Sequence, residues 1–168
     1  MTGNSISSDS KRLYVEKIKK GTVIDHIKEG FAISVLKILG LEGRNGTLIT
    51  LGINVKSNVS SSGHKDILKV ENIYLDEKQI HQIALISPGS KVSFIEDFHI
   101  KEKFVVKIPS IIKGIIDCPN ENCITNVDRE PVLTEFKVLS EKPLKIACNY
   151  CERILYKEEI LHMAEKNK

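Results

Sequence analysis

Four cysteines, all in the last third of the chain, constrain its folding more than any other feature. They form two short-spaced pairs, Cys118-Pro-Asn-Glu-Asn-Cys123 and Cys148-Asn-Tyr-Cys151, separated by 24 residues. Each short loop curls two sulfurs toward one side of a metal at ~2.3 Å, and the long insert lets the two knuckles face each other. Zinc is favoured because it makes no redox demand and suits four sulfurs, although iron fits the same geometry. Two disulfides are the bland alternative, disfavoured in a reducing cytosol. A redox pair at Cys148 and Cys151 is the catalytic alternative, and it leaves Cys118 and Cys123 unexplained. Four thiolates leave zinc no open position for water or substrate, so such a site is structural. A segment of about 50 residues also buries little apolar surface, and structural zinc supplies about 10–16 kcal/mol of apparent binding energy at neutral pH.

The same cysteine boundary divides the chain. Residues 118–168 hold 8 Lys+Arg against 9 Asp+Glu, leaving 17 against 13 for residues 1–117, so the basic excess belongs to the first part. Residues 1–10 are polar and are expected to be a disordered tail. Residues 11–107 read as a first domain, 108–117 as a hinge or short helix, and 118–168 as the zinc-binding domain. In the first domain, Leu13 to Ile27 reads as extended and broken by Gly21, with Val23, Ile24 and Ile27 inside. A helix is predicted over 30–40 and a strand over 47–55, followed by a polar loop over 57–63 and a strand over 66–75. Asp76 and Gln79 have the spacing of a capping box, opening a helix that ends at Ser87-Pro88-Gly89. Residues 91–107 read as one or two strands. The order matches the split β-α-β unit of a ferredoxin-like α+β sandwich, an antiparallel sheet with two helices on one face. The second domain reads as small and all-β, rubredoxin-like, with strands over 135–139 and 144–147 framing the knuckles.

Composition excludes several classes. Apolar residues make 41% and charged residues 28% of 168, a globular mixture rather than a disordered one. No apolar stretch approaches the about 20 residues that span a membrane, and Met1 to Ser10 has no secretory h-region, so a cytoplasmic protein is expected. A net charge of +3, 5% aromatics and no Trp argue against a dedicated nucleic-acid binder.

The first domain has no nucleophile elbow, no P-loop and no carboxylate pair near a histidine. Its most chemical feature is Asp25-His26, an ionisable pair ending an apolar strand, which on the residues alone reads first as a solvated strand end. Lys69 in a strand and the Lys101-Glu102-Lys103 cluster are additional charges that could converge with His26 on a phosphate, with Asp25 free to accept from a sugar hydroxyl. His64, His81, His99 and His162 fall in a loop, on a helix face and in the tail.

Four runs, GTVIDHI from Gly21, KDILKVEN from Lys65, and the knuckles CPNENCITN and CNYCE, together resemble the regulatory chain of aspartate carbamoyltransferase. The likeness covers nearly the whole chain beyond the first ten residues. It implies a non-catalytic subunit of the pyrimidine pathway. An N-terminal allosteric domain would bind CTP as inhibitor and ATP as activator and pair with a second regulatory chain, and a C-terminal zinc domain would dock on the catalytic chain. It further implies that His26 and Lys103 look to the triphosphate, Asp25 and Lys69 to the ribose, with Lys69 also near the base, and the backbone around Ile18 to the base edge. Ser93 stands where asparagine is common and Phe98 where tyrosine is common. Asn120, Asn122 and Glu152, beside the cysteines, match positions that touch the catalytic chain.

Overall fold

The computed structural model describes residues 16–44 and 46–166. The tail expected over residues 1–10 lies outside the described residues, as does the start of the extended run at Leu13.

Strands β1 (Gly21–Ile27), β2 (Ile49–Lys56), β3 (His64–Glu71), β4 (Lys91–Glu96) and β5 (His99–Val105) form one sheet with helices α1 (Ala32–Ile38) and α2 (Glu77–Ile86). The strand order is β2-β3-β1-β4-β5 and every neighbour is antiparallel. The first four strands and both helices make the ferredoxin-like sandwich, and the run 91–107 resolves into two strands, β5 extending the sheet as a hairpin. Alternation along each strand divides the two faces. Ile24, Leu68 and Val92 stand in one cross-strand row, are fully buried, and share a core with Val35 of α1 and Ile83 of α2. The Asp76–Gln79 capping box is present, with the Gln79 N–H donating to Asp76 Oδ1 at 2.7 Å and the Asp76 N–H to Gln79 Oε1 at 3.0 Å.

Two β-bulges shape the site end of this sheet. Between Ile24 and Ile27, β1 carries one residue more than the facing stretch of β3, from Leu68 to Asp66. The extra residue lets Ile24 and Ile27 both enter the core despite their spacing of three, and it leaves Asp25 and His26 off it, with His26 at φ +56°. Val23, expected inside, is half-buried on the opposite face. A matching bulge on β2 places Asn54 at φ +57°. Asp66, with 0% exposure, serves both places: its carboxylate accepts from the Ala32 N–H at 3.0 Å, at the start of α1, and from the Asn54 N–H at 2.8 Å. Helix α1 has no side-chain cap of its own, so a buried carboxylate from the sheet meets its orphan donor.

The second unit is a four-stranded antiparallel sheet in the order β6-β7-β8-β9: β6 (Ile111–Lys113), β7 (Glu135–Glu141), β8 (Leu144–Cys148) and β9 (Ile154–Tyr156). Strand β6 falls inside the stretch read as a hinge or short helix. No helix forms there, because Ile112 is buried between exposed Ile111 and Lys113, a period of two, and the strand pairs with β7. The unit also carries helix α3 (Lys157–Lys166), which the all-β reading did not include. Ile160 and Ala164, one turn apart, are buried on a single face of α3, which lies against α1 and α2. One apolar core therefore runs through both units.

Gly21 shows why the extended run breaks where it does. Its φ is +132° and a Cβ there would lie 2.1 Å from the Val70 carbonyl oxygen, a backbone atom that cannot step aside. Gly21→Ala is expected to destabilise the zinc-loaded chain by more than about 2 kcal/mol in denaturant titration; an unchanged midpoint would mean that the β1–β3 approach is not so close.

Candidate functional site

The cysteines are delivered by two loops. Cys118 and Cys123 lie between β6 and β7, Cys148 ends β8, and Cys151 follows in the turn to β9. Their four sulfurs lie within 4.8 Å of one another, with Cys118 and Cys151 at 3.5 Å and Cys123 and Cys148 at 3.8 Å. A tetrahedron with bonds of ~2.3 Å has edges of about 3.8 Å, whereas a disulfide needs about 2.05 Å. The knuckles are held from outside the cluster. Asn126 Nδ2 donates to the carbonyls of Cys118 (2.7 Å) and Asn120 (2.8 Å), and the Cys123 N–H donates to the Asn120 carbonyl at 2.8 Å. Across the cluster, the Glu152 N–H donates to the Cys148 carbonyl at 3.0 Å, with Glu152 at φ +60°.

Burial pushes the Cys118 and Cys148 thiols up. At Cys151 burial acts the same way, but hydrogen bonds from the Asn120 side chain, the Arg153 backbone N–H and the Cys118 and Cys123 thiols together outweigh it and bring the thiol down to about 6. Four crowded sulfurs cannot all carry charge unless a cation shares them, and one Zn²⁺ resolves that conflict. The set fits one structural zinc ion per chain. Asn122 and Glu152 are exposed beside it and Asn120 is half-buried.

The first unit presents a second candidate site on the sheet face opposite its helices. Thr50, Lys69, Val23, Ser93 and Lys103 stand in one row across all five strands, so their side chains share a face. From Lys69 to Lys103 is three strand intervals, about 14 Å. Beside the row, Lys17, Ile18, Val23, Ile67, Lys69, Ile95, Phe98 and Ile100 line a cavity of about 350 Å³. Lys69 is 9% exposed and donates to the Glu16 carbonyl; burial holds its ammonium below the usual lysine range, and the Asp25 carboxylate opposes that shift. Phe98 reaches the cavity from a two-residue hairpin turn in which Asp97 and Phe98 both have positive φ, +48° and +65°. An aromatic residue in this conformation is strained, and the Phe98 N–H bond to the Lys19 carbonyl at 2.9 Å holds it there.

At the end of β1, Lys65 Nζ lies 2.7 Å from Asp25 Oδ1, and the His26 N–H donates to the same oxygen at 2.7 Å. Burial pushes the Asp25 carboxyl up, but Lys65 and that N–H together outweigh it and the net shift is downward. For His26, burial lowers the imidazole, the Asp25 charge opposes this, and Lys65 and Lys91 reinforce it. His26 Nδ1 is 3.1 Å from Asp25 Oδ2, an ion-pair contact, and Nε2 is buried with no hydrogen-bond partner among the described residues.

Ile18, Lys69 and Phe98 thus meet at one cavity, Ser93 and Lys103 continue its row, and Asp25 follows on the same face. His26 lines a different cavity at the bulge. Two residues escaped the sequence reading. Lys65 shares the parity of Lys69 along β3, a period-two signal that was legible. Lys17 carries no signal, since nothing local shows that residue 17 returns to the sheet.

A sequence model described as aspartate carbamoyltransferase regulatory chain, allosteric domain, matches residues 13–107, and one described as the metal binding domain of the same chain matches residues 110–161. The aspartate carbamoyltransferase regulatory chain of Thermofilum pendens is 48% identical over 149 residues, 89% of this chain and 92% of that one. Those of Pyrococcus horikoshii and Ignicoccus hospitalis are 47% and 41% identical over 150 residues, 89% of this chain and 96% and 95% of theirs.

The purified chain is expected to hold one zinc, and its thiols to resist alkylation until a chelator is added. Stripping the metal should collapse the NMR dispersion of residues 118–166, because the four thiolates are what tie the loop after β6 to the end of β8. Retention of those signals after chelation would contradict a structural site.

Proposed function

The chain belongs to the aspartate carbamoyltransferase regulatory-chain family, and on that premise we propose that it binds CTP and ATP on the open face of its first sheet and passes their occupancy to the catalytic chain through the zinc domain. As a regulatory chain it is non-catalytic, and a catalytic chain is its partner. The finer reading adds a second regulatory chain as homodimer partner, a cytoplasmic setting and control of the step that makes carbamoyl aspartate for pyrimidine synthesis. Among the described residues no helix is long and apolar enough to cross a membrane.

The observation that carries the effector reading is the row of Lys69, Ser93 and Lys103 beside the Ile18–Phe98 cavity. A nucleotide laid along it would set its base against Ile18 and Phe98, its ribose between Asp25 and Lys69, and its phosphates toward Lys103 and His26. An Asp25 carboxyl held ionised suits a ribose hydroxyl, which must donate to it. Ser93 offers a hydroxyl in place of a longer amide, and Phe98 stacks without a phenolic donor, so base and phosphate contacts rest on fewer polar groups than the common family pattern. Asn120, Asn122 and Glu152, fixed by the knuckles, are proposed to touch the catalytic chain.

Bound nucleotide shifts the enzyme's two-state equilibrium only by its differential affinity for the two states, typically about 1–3 kcal/mol. Residues 108–117 would pass that bias between domains, helped by the core that α1, α2 and α3 share.

In complex with catalytic chains, CTP and ATP are expected to shift the aspartate saturation curve. Lys103→Ala should raise the nucleotide Kd about tenfold or more, the size of one charged hydrogen bond, with zinc content and assembly unchanged. Unaltered CTP affinity would remove Lys103 from the site.

A second expectation concerns pH. Because burial depresses His26 in the free protein and a polyphosphate favours its charged form, binding takes up a proton. Affinity should therefore rise as pH falls through the region around and below about 6.5. Protonation of the nucleotide itself opposes this, so the readout is the difference from His26→Gln. Identical pH profiles for the two proteins would contradict the assignment.

A further inference from the structure

The cavity at the β1 bulge does not belong to the first domain alone. It encloses about 660 Å³ and is lined by His26, Lys28, Glu29, His64 and Lys65, with the Ser60–Ser62 loop, and by one residue of the second domain, Lys142. Lys142 sits in the turn between β7 and β8. Lys28 and Lys142 also line the adjoining apolar cleft of about 340 Å³, whose floor includes Leu85, Ile108 and Leu144. The two lysines therefore face the same space from opposite sides of the domain boundary.

Their charges are unbalanced. Lys65 is paired with Asp25, but among the described residues no carboxylate lies within ion-pair distance of Lys28 or Lys142. Lys28 is held in place, its backbone N–H donating to Ser87 Oγ at 2.9 Å, at the end of α2, and its ammonium lying 5.2 Å from the Phe31 ring centre. Into the same cavity His26 brings a buried Nε2 with no hydrogen-bond partner among the described residues, while its Nδ1 lies 3.1 Å from Asp25 Oδ2. Unpaired like charges from two domains repel, and a buried unpartnered nitrogen is costly. One anion of several acceptor oxygens can meet both lysines and the Nε2–H of His26.

The geometry points to an anion clamp: a phosphate-class anion in this cavity is held by His26 and Lys28 from the first domain and by Lys142 from the zinc domain, so that its binding draws the β7–β8 turn toward β1. Carboxylates offer two oxygens in one plane. A phosphate chain offers more oxygens in several directions, which suits point-charge ammonium groups approaching from both walls. Repulsion between Lys28 and Lys142 becomes attraction of both to a shared ligand, so occupancy and domain approach favour each other, reciprocally. The inference rests on the effector reading, in which His26 meets a triphosphate, and adds that the phosphates are read by the second domain directly.

The test is calorimetric titration of the zinc-loaded full chain with ATP and, separately, with inorganic triphosphate. Lys142→Gln is expected to weaken inorganic triphosphate about two- to fivefold, the size of one partly exposed ion pair, and Lys142→Arg to restore it. The control Lys137→Gln removes an exposed charge from β7 that lines neither cavity and should change nothing. In complex with catalytic chains, Lys142→Gln should also shrink the ATP-induced shift in aspartate saturation. If ATP binds the wild type but Lys142→Gln and Lys137→Gln behave alike toward triphosphate, the clamp is overturned and the effector site stands. If neither ATP nor triphosphate binds the wild type, both fall together.

Discussion

Four sulfurs held within 4.8 Å of one another are the constraint on which the second half of the chain depends. They tie the loop after β6 to the end of β8, and β8 sets the register of β9, which leads without a break into α3. Ile160 and Ala164 on α3 then complete a core whose other walls are helices of the first domain. A metal cluster at one end of a small sheet thereby fixes a helix that belongs, by packing, to both domains. The cluster's outward loops carry Asn120, Asn122 and Glu152, so its two faces look in different directions, one toward the shared core and the other toward solvent.

The first domain solves a different problem. A ferredoxin-like sheet has one face covered by helices and one open, and the open face here is neither flat nor uniformly polar. Bulges on β1 and β2 face adjacent positions of β3, and Asp66 accepts from the N–H groups of Asn54 in the β2 bulge and of Ala32 at the start of α1. The bulge turns Asp25 and His26 away from the core without a break in the strand's apolar pattern. Candidate site and scaffold are therefore one feature: the bulge that makes β1 irregular also sets where Asp25 and His26 stand.

Much of this was legible in sequence because the signals were local. Cysteine spacing, the Asp76–Gln79 box, the alternation of β3 and the break at Gly21 each follow from a few neighbouring residues. What escaped was long-range or non-local in cause. The buried role of Asp66 is invisible because its partners Ala32 and Asn54 are distant in sequence. The fate of Val23 depended on a bulge that alternation cannot count. Strand β6 carries only three residues, too few for periodicity to decide, and α3 lay in a segment whose cysteine knuckles pointed to strands alone. Among the site residues, Lys69, Ser93 and Lys103 are scattered over three strands, and only the sheet register brings them into one row. The family likeness implies a nucleotide-binding role for them, and the register puts the three on one face of the sheet.

Transmission then needs no separate device. In the proposed reading, the open sheet face, the bulge, the cavity that Lys142 also lines and the helical core shared by α1, α2 and α3 would carry the effector's influence from the first domain toward the metal knuckles. The most direct measurement is hydrogen exchange of the zinc-loaded chain, in complex with catalytic chains, with and without CTP. The account predicts that CTP slows exchange around Ile18, in the β4–β5 hairpin and also in β8 and α3 of the second domain. Slowing confined to the first domain, with β8 and α3 unchanged, would contradict it.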